Sequence, residues 1–543
     1  MIRGFRLIAL LTVVSRVFGM VRDMAFAYFL GAGLMMDIWV IAFKIPNLAR
    51  RIFGEGAATS SFIPVYSEQL KKDPAQSLKL AQTVVTVVVV LLSGIVMAGL
   101  LIMGYLYWFH APLASTKLML LLAALMLPYM IMICVEAILG GILNTHRHFA
   151  APAAAPIALN IVNICTLCIG GWVLGLTPEQ HVFLLAFGVL LAGVLQVGMQ
   201  VVPLYRLGLT LRPAWQVRSD AFKQIMWLMG PMILGMAATQ LNTLADDVVA
   251  KCLSGSAEKG EFFMMFGRQI RYPVWAGAVS SLFYTQRLYQ FPLGVLGISL
   301  ATAIFPVMSE VAAGKDYVKL AKTIKDGLQA TIFLALPSTV GLILVARPLV
   351  AAIYQRGKFT VADTDLASKV LIFYALGLCG FFAQQVLPRA FYAMKDSKVP
   401  ARTAALAVIL NVILNLTLIW PMGVSGLAFS TSLCSYAQVG ILLWLLHRKF
   451  QLHLAEGFWP IFQKTAIGTI LMAAAGWASL AVLGGLAQGT RGDVIRILVL
   501  VAVCGGVYVG AAWALKNPML ALIVSARRKK TAVSDVRPEE MQP

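Results

Sequence analysis

Charged side chains inside apolar segments are the residues of this sequence best suited to chemistry. Arg16, Arg22 and Asp23 lie in the first apolar segment, Asp37 lies in the second, and Arg287 lies in the eighth. An arginine near the centre of a bilayer costs at least ~2.5 kcal/mol, so such residues persist where they face a watery cavity or pair with acids. Guanidinium groups bind phosphate through two parallel hydrogen bonds and stay protonated at working pH. The arginines therefore predict a site for an anion.

Helical spacing indicates which of these charges can meet. Arg16 and Asp23 are seven residues apart and share a helix face, whereas Arg22 points about 120° away. We therefore expect Asp23 to neutralise Arg16 in part and to leave Arg22 more available. In the second segment, a helix that continues through a proline would carry three charged residues on one face, which are Asp37, Lys44 and Arg51.

A structural role is the alternative for each of these arginines. They could cap helix ends or pair with nearby carboxylates, which are Asp23, Asp37 and Glu55. Cationic side chains near the cytoplasmic end of the second segment could instead reach the membrane surface along their aliphatic stems. These residues are Lys44, Arg50 and Arg51.

A second group consists of acids and amides. Asp246 and Asp247 lie in the seventh apolar segment, and Asn411 and Asn415 lie four residues apart in the eleventh, where they share a helix face. Asp246 and the two amide oxygens form a candidate site for a small cation such as Na⁺, or Asp246 relays protons. Hydrogen bonds between helices are the alternative. No firm metal site is predicted, because the six histidines lie near segment ends or in loops without metal-ligand spacing.

The composition indicates the solvent in which these side chains act. The chain has 543 residues, of which 60% are hydrophobic and 12% are charged, against roughly 25% charged in soluble domains. Such a chain cannot cover itself in water, and a bilayer is the solvent that fits. The net charge of +21 lies mainly in short loops, so it does not indicate a nucleic-acid partner.

The apolar segments predict an all-α polytopic membrane protein, because uniformly apolar runs of this length suit helices rather than alternating barrel strands. About fourteen spans are expected. The segments are 5–30, 34–64, 78–107, 117–143, 153–176, 181–206, 220–250, 278–308, 318–345, 362–387, 400–421, 424–447, 459–486 and 494–516.

Two sequence matches indicate an internal repeat. Residues 63–68 (IPVYSE) resemble residues 305–310 (FPVMSE), and the Pro152 to Asn163 interval recurs as Pro400 to Asn411. Both offsets span six segments, so the halves have the same orientation, related by a pseudo-two-fold axis along the membrane normal. The predicted organisation is two six-helix lobes, two further helices and a tail. Their bounds are 1–215, 216–450, 451–522 and 523–543.

Lysines and arginines concentrate in alternate loops, which by the positive-inside rule predicts that both termini are cytoplasmic. Residues 251–275 are the exception, because they bring several cations to the outer face together with an aromatic and methionine-rich run. This insert is expected to be an interfacial helix on the outer surface or a re-entrant segment.

Three motifs carry a family resemblance: SRVFGMVRD at 15–23, FKIPNLARRIFGEGA at 43–57 and FPLGVLG at 291–297. They resemble the MurJ (MviN) lipid II flippase family of the multidrug/oligosaccharidyl-lipid/polysaccharide exporter superfamily. The resemblance covers nearly the whole chain. Two departures are the long 251–275 insert and Gln286, which stands where an acid is common in the family.

The resemblance implies alternating access by two lobes, with export of undecaprenyl-pyrophosphate-linked disaccharide-pentapeptide across the bacterial cytoplasmic membrane. No enzymatic activity and no cofactor are expected, because the sequence carries no Gly-rich phosphate loop, nucleophile elbow or zinc motif. Na⁺ or the membrane potential, acting through Asp246, is the candidate driving force. Lipid II, membrane lipids and cell-wall synthesis proteins are the implied partners, and the last two helices resemble a lipid-tail groove. It implies substrate-binding arginines at Arg16, Arg22, Arg50 and Arg287, and gate or partner acids at Asp23, Asp37 and Glu55.

Two other function classes remain open at the sequence level. One is an exporter of a different lipid-linked oligosaccharide or a multidrug antiporter of the same superfamily, although a cationic-drug antiporter should carry acids rather than arginines in its cavity. The other is a non-transporting scaffold for cell-wall enzymes, which would tolerate charge reversal at the arginines.

Overall fold

The computed structural model describes residues 2–50, 59–210, 212–265, 267–450, 457–484 and 489–521. Most of these residues are helical, as the apolar segments predict. Two π-helical turns extend the helices: Ile169–Val173 follows α7, and Leu293–Ile298 joins α10 to α11. The helices are α1 (Ile2–Leu30), α2 (Leu34–Ala49), α3 (Thr59–Lys72), α4 (Pro74–Phe109), α5 (Ala114–Met126), α6 (Tyr129–Thr145), α7 (Ala150–Cys168), α8 (Pro178–Arg206), α9 (Asp220–Cys252), α10 (Ala278–Pro292), α11 (Ser299–Ala313), α12 (Tyr317–Tyr354), α13 (Val361–Leu376), α14 (Leu378–Ala393), α15 (Lys398–Met422), α16 (Val424–Phe450), α17 (Phe458–Leu483) and α18 (Thr490–Ala514).

Ten helical segments of the described residues are long and apolar enough to cross a bilayer, and the α13–α14 pair, bent by 43°, makes an eleventh. The membrane-protein fold class is thereby confirmed, whereas the count of fourteen spans stays a prediction. The ten are Pro74–Phe109, Ala114–Thr145, Ala150–Val173, Pro178–Arg206, Ala278–Ala313, Tyr317–Tyr354, Lys398–Met422, Val424–Arg448, Phe458–Leu483 and Thr490–Ala514.

Local sequence sets where several helices begin. The Asp73 side chain accepts hydrogen bonds from the Ala75 and Gln76 amides before Pro74 opens α4. Thr177 and Gln180 form a reciprocal capping box at the start of α8. Such caps satisfy amides that have no partner within their own helix, so the spans start where the sequence supplies a polar cap.

The first compact unit comprises Met1–Phe283 and Arg356–Thr360. In it, α1 packs on α7, α7 on α8, α8 on α6, and α2 on α5. A buried cluster that includes Phe62, Tyr66, Leu139 and Phe222 joins α3, α6 and α9. The core of this unit is thus built between helices rather than within a sheet.

The second compact unit comprises Tyr284–Gln355 and Val361–Pro543. Its long helix α12 packs on α13, α14, α17 and α18, and α15 packs on α16. The Tyr508 hydroxyl on α18 donates to the Phe333 carbonyl of α12 at 2.6 Å. The two C-terminal helices are therefore fixed to the second unit through α12.

The division between the units lies inside α10, after Phe283, whereas the predicted lobe boundary lies at 215/216. The two divisions rest on different criteria, because the first follows packing and the second follows the internal repeat. The predicted lobes stay a prediction.

The prediction of an interfacial helix within residues 251–275 is wrong. These residues form two small strand pairs: β1 (Ser254–Gly255) pairs in parallel with β4 (Val274–Trp275), and β2 (Phe262–Met265) pairs antiparallel with β3 (Arg268–Arg271). Gly260 and Gly267 have φ of +80° and +73°. This backbone region suits glycine, and it turns the chain where a helix would have to continue.

Candidate functional site

Arg22 is held by two side chains of the first unit. Its Nε and Nη2 donate to Asp23 Oδ1 at 3.0 and 2.7 Å, and its Nη1 donates to Asn160 Oδ1 of α7 at 2.9 Å. The Asn160 amide nitrogen in turn donates to the Ser15 carbonyl at 3.2 Å. These bonds fix the guanidinium between α1 and α7.

This arrangement corrects the expected pairing of Asp23 with Arg16. Helix-face geometry alone favours Arg16, but the long arginine side chain lets Arg22 turn back to its sequence neighbour. Arg16 is exposed. The role of Asn160 was missed, and no charge or motif in the sequence marks it.

Arg50 lies just after α2, where its Nε donates to the Asn47 side-chain oxygen at 3.0 Å. Tyr129, on α6 of the same unit, is buried, and its hydroxyl donates to Gln196 Oε1 at 3.2 Å. Two of the predicted substrate-binding arginines, Arg22 and Arg50, thus both belong to the first unit.

Asp37 caps the start of α10, where Gly277 lies 240 residues later in the chain. The buried carboxylate accepts from the Gly277 and Ser280 amides, each at 2.7 Å, at the start of α10. A carboxylate at a helix N-terminus satisfies free amides and complements the helix dipole. Gly277 has φ of +105°, and a Cβ there would lie 2.2 Å from the Ala32 carbonyl. Asp37 thus fixes α2 to the start of α10. Because α2 continues through Pro46, Asp37 and Lys44 share a helix face as expected, whereas Arg51 lies outside the described residues.

Lys44 pairs with an acid of α9. Its ammonium donates to Asp247 Oδ2 and to the Thr243 carbonyl, the latter at 2.8 Å. The Lys44 side chain is 19% exposed and that of Asp247 is 4% exposed. The α2 helix continues through Pro46, which makes this contact possible. Both residues are conspicuous in the sequence as charges within apolar segments, whereas their pairing depends on the packing of α2 against α9.

Arg287 lies in the second unit on α10, where it is half-buried. Its neighbour Gln286 donates to the Tyr374 hydroxyl of α13 at 3.2 Å. The residue that replaces the expected acid thus has a neutral partner. Because Arg287 belongs to a different unit from Arg16, Arg22 and Arg50, the predicted convergence of the four arginines stays a prediction.

The residues of the candidate cation site also belong to different compact units. Asp246 is buried in α9 of the first unit, whereas Asn411 and Asn415 are buried in α15 of the second. Among the described residues, no group of three or more histidine, cysteine, aspartate or glutamate side chains could hold a metal ion. The Na⁺ site stays a prediction, and Glu55 lies outside the described residues.

Comparison with known proteins decides the family. A family model described as lipid II flippase MurJ matches residues 26–491. The chain belongs to the MurJ lipid II flippase family. MurJ family relatives include the probable lipid II flippase MurJ of Vibrio cholerae, 32% identical, with 87% of this chain and 88% of that protein covered. The lipid II flippase MurJ of Burkholderia cenocepacia is 27% identical over 93% of this chain and 95% of its own. The expected family is confirmed.

Solved structures give the same fold. A structure described as lipid II flippase MurJ in an inward closed conformation aligns with a TM-score of 0.72 and 25% identity, covering 94% of this chain and 99% of that one. An inward-facing multidrug resistance MATE family transporter aligns with a TM-score of 0.63 and 15% identity, covering 82% and 96%. The second likeness shows that the MurJ family chain shares its fold with MATE transporters, and nothing about its substrate.

Proposed function

We propose that this chain moves lipid II from the inner to the outer leaflet of the bacterial cytoplasmic membrane. The observation that carries the proposal is the match of residues 26–491 to the lipid II flippase family. The chain covers 88% and 95% of two relatives that bear that name. The activity is therefore proposed on a match to nearly the whole length of those relatives.

The substrate-binding chemistry follows from the charges of the first unit. Arg22 has five N–H donors, and its bonds to Asp23 and Asn160 use three of them. The other two suit an oxygen of a pyrophosphate. Because Asp23 offsets the charge of Arg22, Arg22 contributes mainly hydrogen bonds to the proposed substrate site. Arg16 and Arg50 are the other candidate substrate-binding arginines of the first unit.

Transport would proceed by alternating access of two lobes, with Arg287 supplying a guanidinium from the second unit. Binding groups on both halves are typical of transporters built from repeats. Two positions support the repeat: Asn163 in α7 and Asn411 in α15 are both buried. No observation favours a second function, because the MATE likeness concerns the fold alone.

The test is the location of the lipid-linked precursor in a bacterium whose own flippase is depleted. With this chain expressed, the precursor should be accessible from the outer surface of spheroplasts, and growth should continue. The Arg22→Glu variant at equal membrane levels should leave the precursor on the inner leaflet. If the precursor stays on the inner leaflet with the unaltered chain present in the membrane, the proposal is wrong.

A further inference from the structure

The insert after α9 is fastened at the ends of two helices by a pair of adjacent residues. The Glu258 carboxylate accepts from the Ala114 and Ser115 amides at the start of α5, the latter at 3.1 Å. The Lys259 ammonium donates to the carbonyls of Lys251 and Ser254 at 3.2 and 3.3 Å, at the end of α9. Each charge is opposite in sign to the helix end that it meets, so both contacts are favourable.

These contacts fix the level of the insert relative to the membrane. The Ala114–Thr145 span begins at the residue that Glu258 holds, and the preceding span ends at Phe109. Trp108 and Phe109 are 79% and 73% exposed at that end, as is typical of aromatic side chains at the headgroup level. The insert is therefore rooted at a membrane–water boundary, on the side of residues 110–113.

The β2–β3 hairpin begins four residues after Glu258 and presents exposed apolar side chains. Phe262 and Met264 lie on one face of the hairpin, because side chains alternate along a strand. Their cross-strand partners, Arg271 and Gln269, lie beside them on the same face. Phe262 is 47% exposed and Met264 is 69% exposed. The other face is covered near its root, where the Phe263 ring lies 4.8 Å from that of Tyr272.

Basic side chains accompany the apolar ones. Arg268 and Arg271 are exposed, and the one acid of residues 261–272 is Glu261, so the net charge of that segment is two minus one, or +1. The Arg271–Glu261 pair, at 3.7 Å, is exposed on both sides and constrains the arginine weakly. Such a surface complements anionic headgroups above an apolar layer.

We propose that the β2–β3 hairpin docks on the anionic phospholipid surface of the outer leaflet. Phe262 and Met264 enter the boundary between headgroups and acyl chains, and Arg271 on the same face meets lipid phosphates. Arg268, at the tip of the hairpin on the other face, adds positive charge beside them. A lipid surface fits better than a protein partner because Glu258, four residues before the hairpin, is anchored at the start of a span. The exposed hairpin also combines apolar and basic side chains, as a surface of anionic headgroups over acyl chains requires. The inference does not depend on the transported substrate.

The test measures the depth of a spin label on the full-length protein in vesicles. The label is placed at Met264→Cys after the seven native cysteines are replaced by serine, with Glu179→Cys as an exposed control far along the chain. The vesicles contain phosphatidylcholine alone or with phosphatidylglycerol, and they contain no lipid-linked precursor. Oxygen collides with labels in lipid, and a nickel chelate collides with labels in water, so the ratio of the two collision rates reports depth.

We expect the ratio at position 264 to rise with phosphatidylglycerol while that at 179 stays constant. Arg268→Gln and Arg271→Gln should each lower the docked-to-free ratio by about fivefold, and added salt should lower it as well. A label at 264 that stays in water in both vesicles overturns the proposal, and so does lipid depth that is independent of headgroup charge. If the label at position 264 is shielded from the nickel chelate in native membranes but not in either kind of vesicle, the hairpin binds a protein, and the proposal is also overturned.

Discussion

The environment of Arg22 shows how a guanidinium within an apolar helix keeps a fixed orientation. Asp23 and Asn160 hold three of its N–H groups, and its side chain is 14% exposed. Such pre-arranged donors lose little conformational freedom when an anion binds. The arginine itself could be predicted from the sequence, because a charge in an apolar run is conspicuous. Asn160 could not, because its role depends on the packing of α7 on α1.

Charge reversal tests the arginines directly. Arg22→Glu and Arg287→Glu should each abolish support of growth in a flippase-depleted host while membrane levels stay normal, because a carboxylate repels a pyrophosphate. The measurement is growth together with quantification of the protein in membranes. Arg212→Glu, in an exposed loop, is the matched control and should grow normally. Full growth of both test variants would remove these residues from the substrate site.

The Lys44–Asp247 pair makes a prediction about stability. Lys44→Met should lower the free energy of unfolding by about 3–5 kcal/mol, because it leaves a carboxylate that is 4% exposed without its cation. Adding Asp247→Leu should restore most of the loss, since both charges are then gone. The measurement is thermal or denaturant unfolding of the purified chain.

An exposed ion pair provides the comparison for that prediction. Arg347 and Asp365 are 60% and 50% exposed and 2.9 Å apart, so Arg347→Met should cost at most about 1 kcal/mol. Equal losses at the buried and exposed pairs would contradict the structural role of Lys44.

At the scale of elements, the helices could be predicted from long apolar runs. The strands of the insert could not, because they depend on glycine-supported turns and cross-strand pairing. Every expected segment coincides with a helix or a pair of helices over most of its described length. The run of phenylalanine and methionine in the insert favours an interfacial helix or a re-entrant segment. Its strands instead follow from glycine-supported turns at Gly260 and Gly267 and from cross-strand pairing, which a periodicity argument does not detect.

The cap on α5 should depend on pH. Hydrogen bonds from Ser115 hold the pKa of Glu258 below its ordinary value of 4.5. A carboxyl group with a lowered folded-state pKa stabilises the fold fully above the unfolded pKa, and that contribution is lost as the pH falls through the folded value. Amide hydrogen exchange at residues 114–117, normalised to unstructured peptide rates, should therefore stay slow near neutral pH and accelerate below pH 4.5.

Substitution provides the control for the cap. Glu258→Ala should accelerate exchange at residues 114–117 already at neutral pH, whereas Glu179→Ala, in the first turn of α8, should leave that segment unchanged. Unaltered exchange in Glu258→Ala would show that the α5 amides are protected without the carboxylate.

At the scale of the whole molecule, the family and the membrane fold could be predicted from the sequence, whereas the grouping of helices could not. The repeat assigns α9 to the second half, but the Lys44–Asp247 and Lys44–Thr243 contacts fix α9 to the first unit. The internal repeat shows which helices correspond to each other in the two halves of the sequence. Packing shows which helices contact each other in one conformation of the protein.

Energy coupling is a property of the whole chain, because its candidate residues lie in both units. If Na⁺ or the membrane potential acts through Asp246, then Asp246→Ala should reduce transport at least about tenfold, and removal of Na⁺ or of the potential should have the same effect. The measurement is precursor translocation in spheroplasts or proteoliposomes. Transport that is equal with and without Na⁺, and equal in Asp246→Ala, would exclude this site.

Several contacts of the first unit join residues that are far apart in sequence, so the ribosome synthesises the two partners many seconds apart. Glu258 follows the Ala114 amide that it holds by 144 residues, and Gly277 follows Asp37 by 240. At roughly 5–20 residues per second of translation, the ribosome needs on the order of ten seconds to deliver Glu258 after α5 has begun. During that interval the start of α5 lacks the Glu258 carboxylate, and until residue 247 is made Lys44 lacks the acid with which it pairs in the folded protein.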